Sequence, residues 1–417
     1  MLNQCQKRER RTGHPNSLHF VICPTNGLLV FVNINNKLLM NHIESTLLTA
    51  VRYAVNGAIT QWDNQIDWQA LKVLTIKQGI PILLIDGLQQ YLSACPNFQP
   101  FIADSAAQRM QRMQWLGMVI AYERMYAQHE KVMAELAKFY ATKGIRMMVL
   151  KGYGLSLDWP QNNHRTVGDL DIYLLPNSSL LRCNLPIWKK ADQMVEKELR
   201  IKVDEEHEHH TLFNYKQVAV ENHYDFINTK AHRDARKIEA RLKQLAEKGC
   251  QAIEVHGAKI YLPSADFNVI FLLRHMGQHF AGEHLNLRQV LDWGFFMRAH
   301  HSEVDWEAAI GFLKEIGLYD FFNHINAICV DHLGFSAVIF PPIIKNPGLE
   351  KRILMDILRP EFDDEKPQDG LMAVIAFKFR RWWKNRWKHR LVYVDNLWVT
   401  FGTLSWSHLR RFKTISH

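Results

Sequence analysis

The spacing of hydrophobic residues between Asn41 and about Lys143 is helical throughout. Within this stretch, the segment from Ala106 to Tyr140 predicts one long amphipathic helix. Its apolar stripe, which we assign to core packing, includes Leu116, Val119, Ile120, Met133, Leu136 and Phe139. Gly144 follows this helix, at the position where a left-handed cap favours glycine.

The pattern becomes strand-like at Ile145. The run from Ile145 to Leu150 is almost continuously apolar, as in a buried strand, and Lys151-Gly152 turns the chain into a short helix. The same criteria predict strands at 169–175, 211–215 and 217–226, a hairpin at 252–262, and helices at 187–199 and 234–248. After Pro263 the spacing is helical again.

These changes predict a domain organisation and a fold class. The segments are a non-native or disordered extension (1–39), an N-terminal helical region (40–143), an α/β core (144–263), a C-terminal helical domain (264–369) and a basic, aromatic-rich tail (370–417). An edge strand at 27–34 is the alternative for the first segment. The fold class is therefore α+β, with a small mixed sheet and flanking helices embedded between two helical regions.

Charge and cysteine content narrow the class of protein. The tail from residue 370 onwards carries ten Lys or Arg residues and one acid, which accounts for the whole net charge of +9. The six cysteines lie far apart without a Cys-x-x-Cys pair, which argues against a zinc ribbon and a disulfide scaffold. No apolar run reaches the roughly 18 residues of a membrane helix. We therefore expect a cytoplasmic protein.

The chemistry is predicted to centre on Asp169 and Asp171. Residues two apart in a strand point to the same face, so the two carboxylates would repel each other unless a divalent cation neutralised them. Mg²⁺ prefers such oxygen ligands. Glu221 ends a later apolar run and would complete the metal site and help to deprotonate an acceptor hydroxyl. An isolated Asp-x-Asp is more commonly the polar face of a surface strand.

The order of the surrounding motifs supports the metal site. It reads Val149-Leu-Lys-Gly152, then Arg165-Thr-Val-Gly-Asp-Leu-Asp171, then Glu221-Asn-His223. This set resembles the DNA polymerase β-type nucleotidyltransferase superfamily and, within it, a broad bacterial family of largely uncharacterised nucleotidyltransferases. The resemblance extends from about Met40 to the C-terminus.

The resemblance implies a polymerase β-like core that transfers a nucleoside monophosphate from an NTP, with ATP favoured, to an unknown hydroxyl or phosphate acceptor. Asp169, Asp171 and Glu221 would be the catalytic residues and the ligands of Mg²⁺ or Mn²⁺. The predicted nucleotide-site and acceptor-site residues are Lys151, Gly152, Arg165 and His223. The acceptor could be a small molecule, a nucleic acid or a protein.

Several of these assignments have alternatives. The residue after Gly152 is Tyr153, where the superfamily has Ser or Gly, so Lys151 is expected to supply charge to the triphosphate in place of a hydroxyl. Arg165 could instead form a loop salt bridge to Asp158 or Asp169. His223 could be a structural histidine.

Two histidine groups suggest metal binding less strongly. The run Glu205–His210 has the composition of a metal site, but a solvated loop with adventitious metal binding is the default interpretation, with His209 or His210 near the active face as the alternative. His275 and His279 have the i, i+4 spacing of zinc ligands but lack the intervening glutamate, so we favour structural packing, near Asp292 or at the border of the nucleotide cleft. A metalloprotein based on these histidines is the third functional hypothesis.

The basic tail gives the second functional hypothesis. The segment Phe377–Arg390 contains seven Lys or Arg residues and three Trp. Such a segment can pack its aromatic side on the body, contact nucleic acid, or lie on an anionic membrane, and we favour packing. A catalytically weak or inactive nucleotidyltransferase-fold binding module, with a tail that contacts nucleic acid or membrane, is thus the alternative to the enzyme.

Overall fold

The structure, a computed structural model, describes residues 40–58, 66–94, 106–177, 185–230, 232–363, 370–395 and 402. The predicted extension at 1–39, the alternative strand at 27–34 and most of the tail after residue 395 lie outside these residues. Residues Asn41–His417 form one unit, to which all of the following elements belong.

Within the described residues, four helices precede the sheet, as the helical spacing predicts. They are α1 (His42–Asn56), α2 (Trp68–Lys77), α3 (Pro81–Ala94) and α4 (Ala106–Ala141). Asn41 and Glu44 form a capping box that starts α1. Gly79 and Gly144 both have a φ of +71°, a left-handed conformation that glycine adopts without strain, so they end α2 and α4.

The long helix α4 is buried along only part of its length. Met133 and Leu136 are 0% and 1% exposed and belong to the core under the sheet. Leu116 and Ile120, in the first half of the helix, are 56% and 48% exposed. The assignment of the whole stripe to core packing is therefore wrong for the N-terminal half of α4, where apolar side chains at helical spacing face solvent.

The sheet has six strands in the order β3-β4-β2-β1-β6-β5. The strands are β1 (Ile145–Val149), β2 (Leu170–Pro176), β3 (His210–Tyr215), β4 (Val218–His223), β5 (Cys250–Val255) and β6 (Ala258–Pro263). β2 runs parallel to β4, with Asp171 opposite Glu221, and antiparallel to β1. β1 is parallel to β6, and β3–β4 and β5–β6 are antiparallel hairpins. The sheet is therefore mixed.

Helices connect and cover the strands. Those within the sheet region are α5 (Tyr153–Ser156), α6 (Ile187–Met194, continued by a π-turn at Val195–Leu199) and α7 (Ala235–Lys248). Those that follow it are α8 (Ala265–Gly282), α9 (Leu287–His300), α10 (Trp306–Glu315), α11 (Tyr319–Asp331), α12 (Pro347–Leu358) and α13 (Leu371–Val392). The predicted fold class, a small mixed sheet with flanking helices between helical regions, is confirmed.

The first part of the basic tail, α13, packs on the body. Phe377 and Trp382 are 5% and 6% exposed. Lys388 is fully buried and forms an ion pair with Asp356 of α12, with 2.6 Å between its Nζ and a carboxylate oxygen. Each helix in the described part of the chain is too short or too polar to span a bilayer.

Candidate active site

The Lys-Gly turn lies directly after the buried strand β1. Gly152 has a φ of +63° and a ψ of −103°, a conformation that a side chain would strain. Tyr153, the departure from the superfamily pattern, points away from this turn. Its ring packs on Tyr126 in the core, and its hydroxyl donates a hydrogen bond to Glu130 at 3.0 Å. The tyrosine therefore leaves the surface of the turn open.

Strand pairing brings together Asp171, Glu221 and His223. Because β2 and β4 are parallel with Asp171 opposite Glu221, both side chains lie on the same face of the sheet. The Nε2 atom of His223 lies 3.0 Å from Asp171 Oδ1 and 3.4 Å from Glu221 Oε2. One ligand atom from each of the three side chains lies within 4.8 Å of the others.

A second contact reaches Asp171 from the Lys-Gly turn. The Nζ atom of Lys151 lies 3.1 Å from Asp171 Oδ1 and 3.2 Å from His275 Nε2. His275 in turn lies 3.3 Å from His279, Nε2 to Nε2. The two histidines therefore lie in the wall of the site, as the cleft-border alternative describes, and they link α8 to the sheet.

The charged forms of this cluster support one another. Burial on its own would lower the pKa of His223, but the hydrogen bonds that its ring donates to Asp171 and Glu221 raise that pKa to about 9. Burial opposes ionisation of Asp171 as well, yet Lys151 and His223 hold its pKa well below the usual value. The pKa of Lys151 is raised because Asp171, Asp169 and Glu221 outweigh its burial. Near neutral pH the cluster is thus an ionised network.

One oxygen of this network lacks a partner. Asp171 Oδ2 is buried and accepts no hydrogen bond from the described residues, although an unpaired buried carboxylate oxygen is costly. Glu221 presents a second carboxylate beside it. Hard oxygen donors of this kind suit Mg²⁺ or Mn²⁺. The residues present therefore fit a divalent cation.

Asp169 and Arg165 differ in their exposure and in their contacts. Asp169 precedes the first residue of β2, is exposed, and lines the same cavity as Asp171. Arg165 is 6% exposed and holds Asp292 of α9 with two hydrogen bonds of 2.8 and 2.7 Å. The alternative of a salt bridge to Asp158 or Asp169 is thus replaced by an ion pair with Asp292. The guanidinium borders the cavity but is largely occupied.

Two partners of Arg165 and Lys151 were not predicted in these roles. Asp292 accepts hydrogen bonds from Arg165 and from Trp159 Nε1, the latter at 2.9 Å. His275 contacts Lys151 across the cleft. Both come from helices more than a hundred residues downstream. Their charge and spacing are visible in the sequence, but no local pattern shows which side chain they meet.

These side chains line a cavity of about 870 Å³ between the sheet and α8. Its sheet side presents Lys151, Gly152, Asp169, Asp171, Glu221 and His223. Its helical side presents His275, His279, His284, Arg288, Asp292 and Arg381. The cavity therefore brings all seven predicted site residues to one place, with Asp169, Asp171 and Glu221 on the sheet wall and most of the imidazole and guanidinium groups on the helical wall.

Comparison with known proteins assigns the chain to a family. No curated protein matches it. One similar solved structure is described as an antigenic nucleotidyltransferase-like protein from Paracoccidioides brasiliensis; it shares 11% identity, with a TM-score of 0.31, over 51% of this chain and 95% of that chain. That likeness is too weak to support a conclusion. The model of a family described as uncharacterised nucleotidyltransferase matches residues 64–334, which confirms the resemblance seen in the motifs. The chain belongs to this family of uncharacterised nucleotidyltransferases.

Proposed function

We propose that this protein transfers a nucleoside monophosphate from an NTP, ATP first among them, to a hydroxyl or phosphate group of an acceptor. For a hydroxyl acceptor, the oxygen forms a bond to the α-phosphorus and its proton passes to a carboxylate. The bond between the α-phosphorus and the oxygen that bridges to the β-phosphate breaks. Pyrophosphate leaves with that oxygen and its electron pair.

Three acidic residues carry this proposal. Asp169, Asp171 and Glu221 would hold Mg²⁺ or Mn²⁺, which when bound stabilises negative charge on the phosphate oxygens. Glu221, 20% exposed at the side chain, lines the cavity and is placed to accept the proton of the acceptor hydroxyl. Asp171, 1% exposed, is held in position by Lys151 and His223.

The remaining site residues bind and orient. Lys151 brings a positive charge to the turn, and Gly152 lets the backbone approach a phosphate group closely. His223 holds Asp171 and Glu221 in place through Nε2, while its Nδ1 lies 3.3 Å from the backbone oxygen of Asp225. Arg165, fixed by Asp292, lends positive charge to the triphosphate side of the cavity.

The single observation that carries the proposal is the buried, unpartnered Oδ2 of Asp171 beside Glu221 in the cavity wall. The test is binding of a non-hydrolysable ATP analogue to the full chain, measured by calorimetry with and without Mg²⁺. We expect Mg²⁺-dependent binding in the wild type. In the double variant Asp169→Asn, Asp171→Asn it should weaken by at least about a hundredfold, because each lost ligand removes on the order of 1.4 kcal/mol or more.

A matched control removes one exposed carboxylate elsewhere. Asp363 forms a surface ion pair with Lys77, and Asp363→Asn should leave nucleotide binding unchanged. If the double variant binds the Mg²⁺–nucleotide complex as tightly as the wild type, the proposed site is wrong. The same outcome follows if NTP binding is independent of the divalent ion.

A specific observation favours the alternative of a binding module. Lys151 and His223 already neutralise Asp171, so the carboxylate exists in a compensated state before a metal ion arrives. A protein of this kind would bind the Mg²⁺–nucleotide complex. It would release no pyrophosphate with a small molecule, a nucleic acid or a protein as acceptor. Release of labelled pyrophosphate from γ-labelled ATP therefore separates the enzyme from the module.

A further inference from the structure

Three imidazole rings meet at the β3–β4 corner of the cavity. His210 lies directly opposite His223 in the antiparallel pairing of the two strands, so their side chains share one face. Their ring centroids are 5.2 Å apart. His209 lies 4.7 Å from the His210 ring and 5.5 Å from the His223 ring. The motif Glu208-His-His210 is thus folded into the site and is not a solvated loop.

The backbone fixes this corner. The carbonyl oxygen of His209 accepts hydrogen bonds from the N–H groups of Tyr224 and Asp225, at 3.1 and 3.2 Å. These two hydrogen bonds join the start of β3 to the end of β4. They hold His209 and His210 against His223. His209 therefore lies in the bend before β3 and is tied by its backbone to the residues that follow β4.

Two of the rings have nitrogen atoms without partners. Nδ1 of His209 and Nδ1 of His210 are buried, and neither forms a hydrogen bond with the described residues. His210 is only 8% exposed, and its Nε2 lies 3.7 Å from a carboxylate oxygen of Glu221. Buried imidazole nitrogens are normally satisfied, so this pair needs a ligand that the polypeptide does not supply.

We propose that His209, His210 and His223 bind a divalent ion of the zinc class, with Glu221 as a neighbouring oxygen ligand and with the ion replacing the Nε2 proton of His223. One nitrogen from each ring lies within 4.8 Å of the others, and zinc–nitrogen bonds of about 2.0–2.1 Å require only ring rotations and shifts of roughly 1 Å to converge. Imidazole suits zinc or cobalt, whereas Mg²⁺ prefers oxygen.

This site goes beyond the proposed function. Its nitrogen ligands differ from the carboxylates Asp169 and Asp171, so it can exist whether or not the protein turns over NTP. The hydrogen bond between His223 Nδ1 and the backbone of Asp225 resembles the outer contact that usually orients a metal-bound histidine. The ion would sit at one end of the cavity, beside the predicted magnesium position.

The test uses the full chain without a histidine tag and zinc alone. We expect one equivalent of Zn²⁺ to remain after dialysis, measured by elemental analysis, and Co²⁺ to give the visible absorption of a site with nitrogen ligands. The double variant His209→Gln, His210→Gln should lose zinc affinity by more than about a hundredfold, above the 10–100-fold effect of outer contacts. Circular dichroism checks that this variant is folded.

Two further variants distinguish this site from adventitious zinc binding and from the predicted magnesium site. His256→Gln removes a histidine with a half-exposed side chain on the β5–β6 turn and should leave zinc binding unchanged. Asp169→Asn should weaken Mg²⁺–nucleotide binding and retain zinc. The inference is overturned if the wild type retains less than one equivalent of zinc. It is also overturned if the histidine variant binds zinc normally, or if zinc is lost from Asp169→Asn instead.

Discussion

Two buried lysine–aspartate pairs lie in different parts of this protein. Lys151 meets Asp171 at 3.1 Å in the wall of the cavity, and Lys388 meets Asp356 at 2.6 Å between α13 and α12. Both aspartates are 1% exposed. The residue types and the burial of the carboxylates are therefore alike, whereas the Lys151 side chain is 21% exposed, the Lys388 side chain is 1% exposed, and the surrounding charges differ.

The surrounding charges reverse the direction in which the pKa of the lysine and of the aspartate is shifted. Burial lowers the pKa of Lys388 and raises the pKa of Asp356, and the attraction between the two groups does not overcome it. In the cavity, burial acts in the same directions. There, however, the pKa of Lys151 is raised because Asp169 and Glu221 add to Asp171, and the pKa of Asp171 is lowered because His223 adds to Lys151.

The difference shows what a buried charge needs in order to be useful. An ion pair buried between two helices holds the helices together. Both of its charged groups lose their hydration, which costs free energy. A pair embedded among further charges keeps its ions stable and leaves an oxygen, Asp171 Oδ2, for another cation. The first arrangement is suited to docking a helix and the second to binding a ligand.

The largest effect should come from breaking the sealed pair. Lys388→Met leaves the Asp356 carboxylate buried without its cation, which should lower the free energy of unfolding by about 3–5 kcal/mol. Urea denaturation of the full chain measures this change. In the double variant Lys388→Met, Asp356→Leu we expect most of that loss to be recovered, because no charge remains buried. A double variant as unstable as the single one would contradict this interpretation of the pair.

The second-largest effect should come from changing the ion pair between Arg165 and Asp292. Its two hydrogen bonds require the planar guanidinium, so Arg165→Lys should cost roughly 2 kcal/mol although the positive charge is retained. Nucleotide binding should weaken as well, since α9 is no longer held against the loop before β2. Denaturation and calorimetry of the same sample measure both. A change of less than about 0.5 kcal/mol, typical of a surface position, would show that the bidentate contact is unimportant.

The matched substitution in the cavity should cost less. In Lys151→Met the Asp171 carboxylate keeps His223 as its counter-ion, so we expect a loss of only about 1–2 kcal/mol, below that of Lys388→Met. Binding of the Mg²⁺–nucleotide complex should fall at the same time, whereas Lys388→Met should not change it. Equal losses of stability in the two methionine variants would remove the distinction between the two pairs.

The smallest effect concerns a partly exposed pair. A hydrogen bond that His300 donates to Asp158 raises the pKa of His300 to about 9, against the effect of burial. The folded-state pKa exceeds the unfolded value, so this stability is complete below about pH 6.5 and is lost as the pH rises through about 9. Burial also raises the pKa of Asp158, which offsets part of the gain. We expect the pair to contribute about 1 kcal/mol to the free energy of unfolding.

The variant His300→Gln removes that contribution together with the contact between His300 and Glu303. The difference in unfolding free energy between wild type and variant should be present at about pH 6 and close to zero at about pH 10. Other histidines with a raised pKa, such as His223, cancel in this difference because they occur in both proteins. A difference that does not change with pH would mean that the contact between His300 and Asp158 is not an ion pair in solution.

Local patterns were sufficient for the main elements around the candidate site and for the family. The strand β1, the Lys151-Gly152 turn and the strand that carries Asp171 follow from apolar runs, glycine conformation and alternation, which depend only on neighbouring residues. Clustered acids of like charge also indicate a cation without any knowledge of the fold. The family match agrees with the motifs that these local patterns predict.

Contacts between distant residues had to come from the tertiary structure. The parallel pairing of β2 with β4 places Asp171 beside Glu221, and helix packing gives Arg165 its partner Asp292 and buries Lys388. The exposure of Leu116 and the pairing of His210 with His223 also depend on tertiary contacts. Sequence spacing fixes which way a side chain points along its own element, but burial and pairing depend on what another element brings against it.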